Sequence, residues 1–367
     1  TSFTEGDAPV NVTDVDATLS DVDNTTYQKL TIDLGGFIDG ANEKVFVDTD
    51  IFAFGTAETR IVVVGATSFD VDFDGSSFTI TRDGGGSMPE ADVQTLLRLV
   101  TYEHQSDNPT VGNRTFSFTP TDAAGLNGAT AVSTISIAAV NDSPTITSDG
   151  GAATAAVNVA ENSTVVTTVT SSDPEGDTPL YSIVGGTDAA RFSIDSSSGE
   201  LTFVTAPDFE APTDADTDNV YEVTVEVSDG SLTDTQAISV TVTSVNDNAP
   251  VITSDGGGAT AAVNVAENAT AVTTVTATDA DLPVQTLSYS ISGGLDAARF
   301  AINSSSGALT FASAPDFETP TDADSDNVYE VTVEANDGLG MTDTQAISVS
   351  VTSVNDNAPV ITSDGGG

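Results

Sequence analysis

The stretches "AEN", "DFE" and "NDNAP" recur in this 367-residue chain in a fixed order. In one copy of the series Glu161 stands in "AEN", Asp173 and Glu175 in "DPEGD", Asp208 and Glu210 in "DFE", and Asp229 in "SDG". Val245, Asn246, Asp247 and Asn248 close the copy. These side chains offer oxygen and almost nothing else, because the chain has no Cys and one His. Zinc would call for His or thiolate ligands. Magnesium keeps several of its waters and takes few protein ligands, whereas calcium takes about six to eight oxygens. Scattered carboxylates and amides that converge from loops therefore suit calcium. The same residues suit catalysis poorly. No Ser or Cys constellation accompanies His104, which reads as structural or exposed, and nothing marks the cleft that paired glycosidase carboxylates need.

Loops converge only if a frame holds them, and the frame is legible as a repeat. "AAVNVAEN" at 155–162 returns at 261–268, and "APDFEAPTDADTDNVYEVTVE" at 206–226 returns with few changes at 314–334. The offset drifts from 106 to 109 residues, so small insertions fall in loops. "YEVTVEV" and "AISVTVTSV" alternate apolar with polar residues and are rich in β-branched side chains, as half-buried strands are. "SDG", "NDG" and "SSSG" are turn signals between them. A repeat of about 100 residues with about seven strands fits a β-sandwich. The expected core of the middle repeat is Val157, Val159, Val169, Ile183, Phe192, Ile194, Leu201, Phe203, Tyr221, Val223, Val225, Ile238 and Val240. The expected units are 1–143, a diverged and longer member; 144–249; 250–358; and 359–367, the start of a further repeat. The closing "ITSDGGG" reads as the opening of that repeat, so the sequence is expected to be a piece of something longer. Residues 87–97 hold the one expected helix, with Ser87 and Glu90 as a capping box and Pro89 in the first turn.

Composition narrows the partners. Eight Lys+Arg face 56 Asp+Glu, a net charge of −48. Nucleic acid and anionic membrane surfaces would be repelled, since phosphate binding needs clustered Lys and Arg. A cation is the natural partner. Without Cys no disulfide braces the fold, and no run of about 18 apolar residues marks a membrane span.

The ordered set "AEN", "DFE", "NDNAP", followed by "DAD" and "NDG" in the next unit, resembles the calcium-binding motifs of cadherin repeats, and "FSIDSSSGELTF" is similar to a mid-domain segment of that family. The resemblance is close over 144–358 and looser over 1–143. It implies an all-β array of tandem Greek-key β-sandwich domains, cadherin-like or immunoglobulin-like, in a linear rod. It further implies that the joint at 246–248 takes Glu161, Asp208 and Glu210 from the upstream unit, Asn246 and Asp247 with the Val245 and Asn248 carbonyls from the joint, and Asp279, Asp281 and Asp337 from the downstream unit. By the same carry-over, the earlier joint takes Asn141, Asp142, Asp173, Glu175 and Asp229, with Glu5 as the "AEN" glutamate and Glu103 offered for "DFE". The last joint takes Glu267, Asp316, Glu318, Asn355 and Asp356. Asp21 and Asp23 would be half of a site shared with a preceding unit. The family's Asp is replaced at Ser244, and Ser353 repeats the change.

The expected function is a calcium-stiffened extracellular rod at the cell surface, of the type found in large bacterial adhesins. Two alternatives stand beside it: a self-assembling filament or surface-layer subunit, and a glycan- or protein-binding module in 1–143. Its partners would be calcium, neighbouring repeats, and copies of itself or a surface glycan or protein, with no nucleic acid and no membrane insertion; no enzymatic activity is expected. Three smaller readings complete the set. "DVDFDG" at 70–75 is read as a hairpin turning at Asp74-Gly75, because Thr81 stands where an EF-hand needs Glu. "TDADTDN" at 213–219 and "TDADSDN" at 321–327 are read as solvated acidic loops over extra metal loops. Arg191 and Arg299 in "DAARF" are read as ion-paired.

Overall fold

The computed structural model describes residues 1–360. The middle repeat is the simplest unit. Beside the two-residue pair Thr145–Ile146 and Ser171–Ser172, its seven main strands are, in chain order, Thr154–Ala160, Val165–Thr168, Leu180–Gly185, Phe192–Ile194, Glu200–Phe203, Val220–Ser228 and Thr233–Thr243. The first, seventh, sixth and third form a four-stranded sheet; the second, fifth and fourth form a three-stranded one. The first strand runs parallel to the seventh, from Thr154 opposite Ala237 to Ala160 opposite Thr243. That arrangement is a Greek-key sandwich, and the third repeat reproduces it with Thr260–Ala266 parallel to Thr342–Thr352.

Alternation builds each core. In the sixth strand Tyr221, Val223, Val225 and Val227 are buried, while the intervening Glu222, Thr224 and Glu226 face outward. Of the expected core residues, Val157, Ile183 and Ile194 pack only half-buried at the margin and the rest are buried. Ile146, Tyr181, Val227 and Val242 join them. Gln236 is buried as well, its amide donating to the carbonyl of Ala152 at 2.8 Å.

Residues 1–138 fold on the same frame with an insertion. Ser2–Thr4, Ala131–Ala138, Gly112–Asp122 and Thr26–Gly35 lie side by side in the order of the first, seventh, sixth and third strands. Val10–Asn11, Val100–His104 and Glu43–Val47 stand for the second, fifth and fourth. Between the fourth and fifth, Asp50–Ala53 widens the small sheet, and Glu58–Val64, Thr67–Phe73 and Ser77–Arg82 widen the large one beyond its third strand. Phe52 of the small sheet meets Phe78 of the large one edge-on, centroids 5.1 Å apart, and Phe78 stacks on Phe73 at 4.3 Å. The inserted strands thus extend one core.

The glycine pairs show that the frames coincide. Gly36, Gly186 and Gly294 all have positive φ, and a Cβ on each would fall 2.2–2.4 Å from a sixth-strand carbonyl: Asn113, Glu222 and Glu330. No other residue fits there.

The helix is Glu90–Arg98, and its start corrects the expected cap. Pro89, not Ser87, precedes the first turn, with φ −61° and ψ 145° and no side-chain cap bond. Pro89 is held extended by pairing with Thr26, so Ser87 lies too far upstream to reach the helix amides. Glu90 instead accepts from the Gln94 amide at 3.1 Å. The hairpin at Asp74-Gly75 forms as expected, with Asp74 Oδ1 accepting the amides of Ser76 and Ser77.

Candidate metal centres at the domain joints

Each joint begins with a glutamate just after a first strand, buried at Glu161 and Glu267 and half-buried at Glu5. Glu161 is buried, and its carboxylate accepts the amides of Phe209 and Val245, both at 2.7 Å. One carboxylate thereby ties the "DFE" segment to the exit strand. Glu267 does the same with Phe317 at 2.8 Å and Val354 at 2.6 Å. Glu5 accepts the amide of Val140 at 3.0 Å, the counterpart of the Val245 bond.

Carboxylates then gather around these anchors. Oxygens of Glu161, Glu210 and Asp247 lie within 4.8 Å of one another, as do those of Glu5, Asp142 and Glu175, and of Glu267, Asp316 and Glu318. Bonds across the joint fix the second centre. The Asn246 amide donates to Asp337 at 2.9 Å, Asn248 donates to Asp281 at 2.9 Å, and the Leu282 amide donates to Glu210 at 3.1 Å. At the first centre Asn141 donates to Asp229 at 2.7 Å and the Asp142 amide to Glu175 at 3.1 Å. Asp208 and Asp316 cap the turns that hold Glu210 and Glu318, accepting the amides of those residues at 3.0 Å. Asp279 accepts the amide of Asp281 at 3.0 Å. At the last centre Asn268 donates to Asp356 at 2.6 Å, and Asn355 is exposed beside it. The expected unit 359–367 falls mostly on 361–367, outside the described residues.

Burial and neighbouring charge both act on these carboxyls. Burial pushes the Glu210 carboxyl above its ordinary value, and the charges of Glu161 and Asp281 add to that. Burial likewise raises Glu5, with Asp142, Glu175 and Asp107 adding. Burial pushes Asp337 up too, but donors from Asn246, Leu339, Gly340 and Met341 outweigh it and hold that carboxyl low. Four carboxylate oxygens at the two inner joints are buried with no donor: Asp173 Oδ2, Glu175 Oε1, Glu210 Oε2 and Asp279 Oδ2. Buried anionic oxygens need a cation or a donor, and the chain's few basic side chains supply none here, since the ion pairs among the described residues involve only Arg60, His104 and Arg114. The donor set is all oxygen, and it fits calcium.

Several participants carry no obvious mark in the sequence. Gln285 bridges Asn246 at 2.6 Å and Asp281 at 3.2 Å. Asn162, whose φ is +64°, donates to Asp247 at 2.5 Å; its place in "AEN" was the available signal. Glu103, offered for "DFE", is half-buried and accepts from the Gln105 side chain at 3.3 Å. Asp107, which also follows the fifth strand, lies around the same cleft as Glu5, Glu103 and Asp142. Asp21 accepts the amides of Asp23 and Asn24, and Asn24 donates to Asp122 at 3.4 Å, so Asp21, Asp23 and Asp122 share the outer end of the first unit. The expected ion pairs of Arg191 and Arg299 do not form. Both side chains are exposed at the ends of short 3-10 turns, held by backbone bonds to Asp188 and Asp296.

His104 is structural. Its Nε2 lies 2.9 Å from Asp39, which also pairs with Arg114 at 2.9 Å and accepts from Thr110. Arg114 meets Glu43 as well, and Tyr102 donates to Glu43 at 3.0 Å.

Comparison with known proteins follows the same lines. The cadherin domain profile matches residues 155–243 and 261–352. Human protocadherin gamma-B4 is 34% identical over 156 residues, 41% of this chain and 16% of that protein. Human protocadherin Fat 1 is 33% identical over 162 residues, 42% of this chain and 3% of that protein. Drosophila dachsous is 34% identical over 155 residues, 40% and 4%. The chain therefore spans only a small part of these relatives. Among solved structures, protocadherin gamma B2 domains 3–6 align at 20% identity and TM-score 0.49, covering 81% of this chain and 69% of that one. The human desmocollin-1 ectodomain aligns at 17% and 0.47, covering 97% and 60%. These relatives are animal proteins, and the expected bacterial adhesin type gains no support from them. The matched family is one of adhesion proteins rather than enzymes. Residues 155–243 and 261–352 are thus two cadherin domains in tandem, and this chain carries the family's repeat.

Proposed function

We propose that the chain is a calcium-stiffened structural segment of an extracellular cell-adhesion protein, with residues 1–143 as a longer member of the same series. The observation that carries this reading is the set of buried, donorless carboxylate oxygens at the two inner joints: Asp173 and Glu175 on the downstream side of the first, and Glu210 and Asp279 on the two sides of the second. At the second joint the ligands would be Glu161, Asp208, Glu210, Asn246, Asp247, Asp279, Asp281 and Asp337, with backbone carbonyls of Val245 and Asn248. At the first they would be Glu5, Asp107, Asn141, Asp142, Asp173, Glu175 and Asp229. Glu267, Asp316, Glu318, Asn355 and Asp356 would be the upstream share of a third, and Asp21, Asp23 and Asp122 the downstream share of another.

Bound calcium would supply positive charge where carboxylates of two domains converge. The residues do the rest. Glu161 fixes the distance between the "DFE" segment and the exit strand. Asn246, Asn248 and Gln285 orient the joint onto Asp337 and Asp281. Pro250 limits backbone freedom after the joint. With the charge neutralised the two domains are held in one orientation; without it the facing carboxylates repel and the joint bends. Asp247→Ala tests this: small-angle scattering in calcium should give a shorter maximum dimension with the β-sheet circular dichroism retained. An unchanged dimension would remove Asp247 from the joint's mechanics.

A further inference from the structure

A second kind of acidic centre lies inside each matched domain. In "TDADTDN" one carboxylate oxygen each from Asp214, Asp216 and Asp218 comes within 4.8 Å of the others. Asp214 is 4% exposed. Its Oδ2 accepts the amide of Asp218 at 2.8 Å, while Oδ1 is buried with no donor. Burying a carboxylate oxygen unpartnered beside two like charges is unfavourable unless a cation joins them. None of the ion pairs among the described residues reaches these aspartates. The third domain repeats the arrangement. Asp322 is 6% exposed, its Oδ2 accepts the amide of Asp326 at 2.7 Å, and its Oδ1 is buried without a donor.

The backbone is shaped to match. Asp214, Asp216 and Asp218 stand at positions one, three and five of the loop, and Asn219 at position six has φ +65°. Calcium loops place oxygen ligands at those three positions and a sharp turn at the sixth. Ser325 and Asn327 turn the second copy with φ of +64° and +68°. Each loop is also held from beneath. Asp188, itself buried, accepts the amide of Ala215 at 2.8 Å and that of Glu222 at 3.0 Å. Asp296 does the same for Ala323 at 2.8 Å and Glu330 at 2.9 Å. Spacing alone would not suffice. Asp70, Asp72 and Asp74 share it, yet Asp70 and Asp72 lie within an extended strand and Asp74 caps a hairpin.

We propose that the loops 214–218 and 322–326 each bind one divalent cation of calcium's hard, oxygen-seeking class, within a single domain and separately from the joints. Asp188 and Asp296 are positioning residues.

The test is calorimetric titration of the full chain with calcium alone. The paired substitution Asp216→Asn with Asp324→Asn changes exposed side chains and leaves buried Asp214 and Asp322 in place. Saturating stoichiometry should fall by two ions per chain, and the calcium-dependent change in scattering dimension should remain. In chelator the variant should melt no lower than wild type, and the rise in melting temperature on adding calcium should shrink. A second pair, Asp218→Asn with Asp326→Asn, should behave alike. Unchanged stoichiometry in both pairs would overturn the proposal, as would failure of the wild type to bind calcium. Lost ions accompanied by lost joint stiffening would also overturn it, by assigning those ions to the joints. Asp247→Ala should do the reverse, altering the dimension while keeping the loop ions, so failure of the joint reading and failure of this one are separable.

Discussion

Glu161 spends both carboxylate oxygens within its own domain, on the amides of Phe209 and Val245. Its removal therefore has a cost that does not depend on metal. Glu161→Ala should lower stability by about 1–3 kcal/mol even in chelator, because two amides lose their acceptor. Urea unfolding of the full chain in EDTA checks it. Asp247 is exposed and takes only side-chain donors, from Asn162 and Asn248. Asp247→Ala should accordingly leave chelator stability within about 0.5 kcal/mol of wild type. This contrast was not legible in the sequence, where both are acidic residues in recurring motifs. Residue type and spacing are enough to suggest a hard-cation ligand. Which carboxylate also braces its own fold depends on burial, and burial depends on pairings such as that of Ala160 with Thr243.

At the scale of elements, the insertion between Glu43–Val47 and Val100–His104 hid the first unit's frame. It separates the fourth and fifth strands, so the "DFE" counterpart could not be placed by counting, and Asp107 surfaced only once the fifth strand was located. The second strand, Val10–Asn11, is too short to show alternation. The glycine pairs at 35–36, 185–186 and 293–294 keep the frame visible through this insertion, because close approach of two backbones leaves one choice of residue. Two predictions belong here. With Asp107 proposed in the place of Asp208, Pro109 falls where the second joint has Glu210, one carboxylate fewer, and fewer carboxylates lower calcium affinity. Asp229→Ala should thus remove a weaker class of calcium ion than Asp337→Ala does, as read by titration of the two full-length variants. The other concerns Asp39. Burial pushes its carboxyl up, but bonds from Thr110 and His104 outweigh this and hold it below its ordinary value. A depressed carboxyl stabilises fully above the ordinary carboxylate pKa of about 4, and that stability is lost as pH falls through the folded value. Acid unfolding should therefore lose part of its pH dependence below about pH 4 in Asp39→Asn. At neutral pH the variant should be destabilised by about 3 kcal/mol, because buried Arg114 loses one of its two partners. Denaturant melts across pH would show both effects.

For the whole molecule, charge dominates. A net charge of −48 concentrated at joints and loops opposes compaction unless cations enter. A ligand that binds only the folded state adds RT ln(1 + [L]/Kd), about 2.7 kcal/mol per site at a hundredfold excess over Kd. Melting temperature should rise with calcium and fall with chelator. The tandem architecture and the all-oxygen donor set at the joints were readable because repetition exposes motif order twice. At 214–218 the sequence leaves solvated and ligating aspartates as alternatives, and the buried, donorless Oδ1 of Asp214 is what favours the second. Calcium held at the joints would stiffen them. Small-angle scattering of the full chain, in calcium and then in EDTA, measures this most directly. Stiffened joints should give a longer maximum dimension and a narrower distance distribution in calcium, with contraction and broadening in EDTA. The same distribution in both conditions would contradict that stiffening.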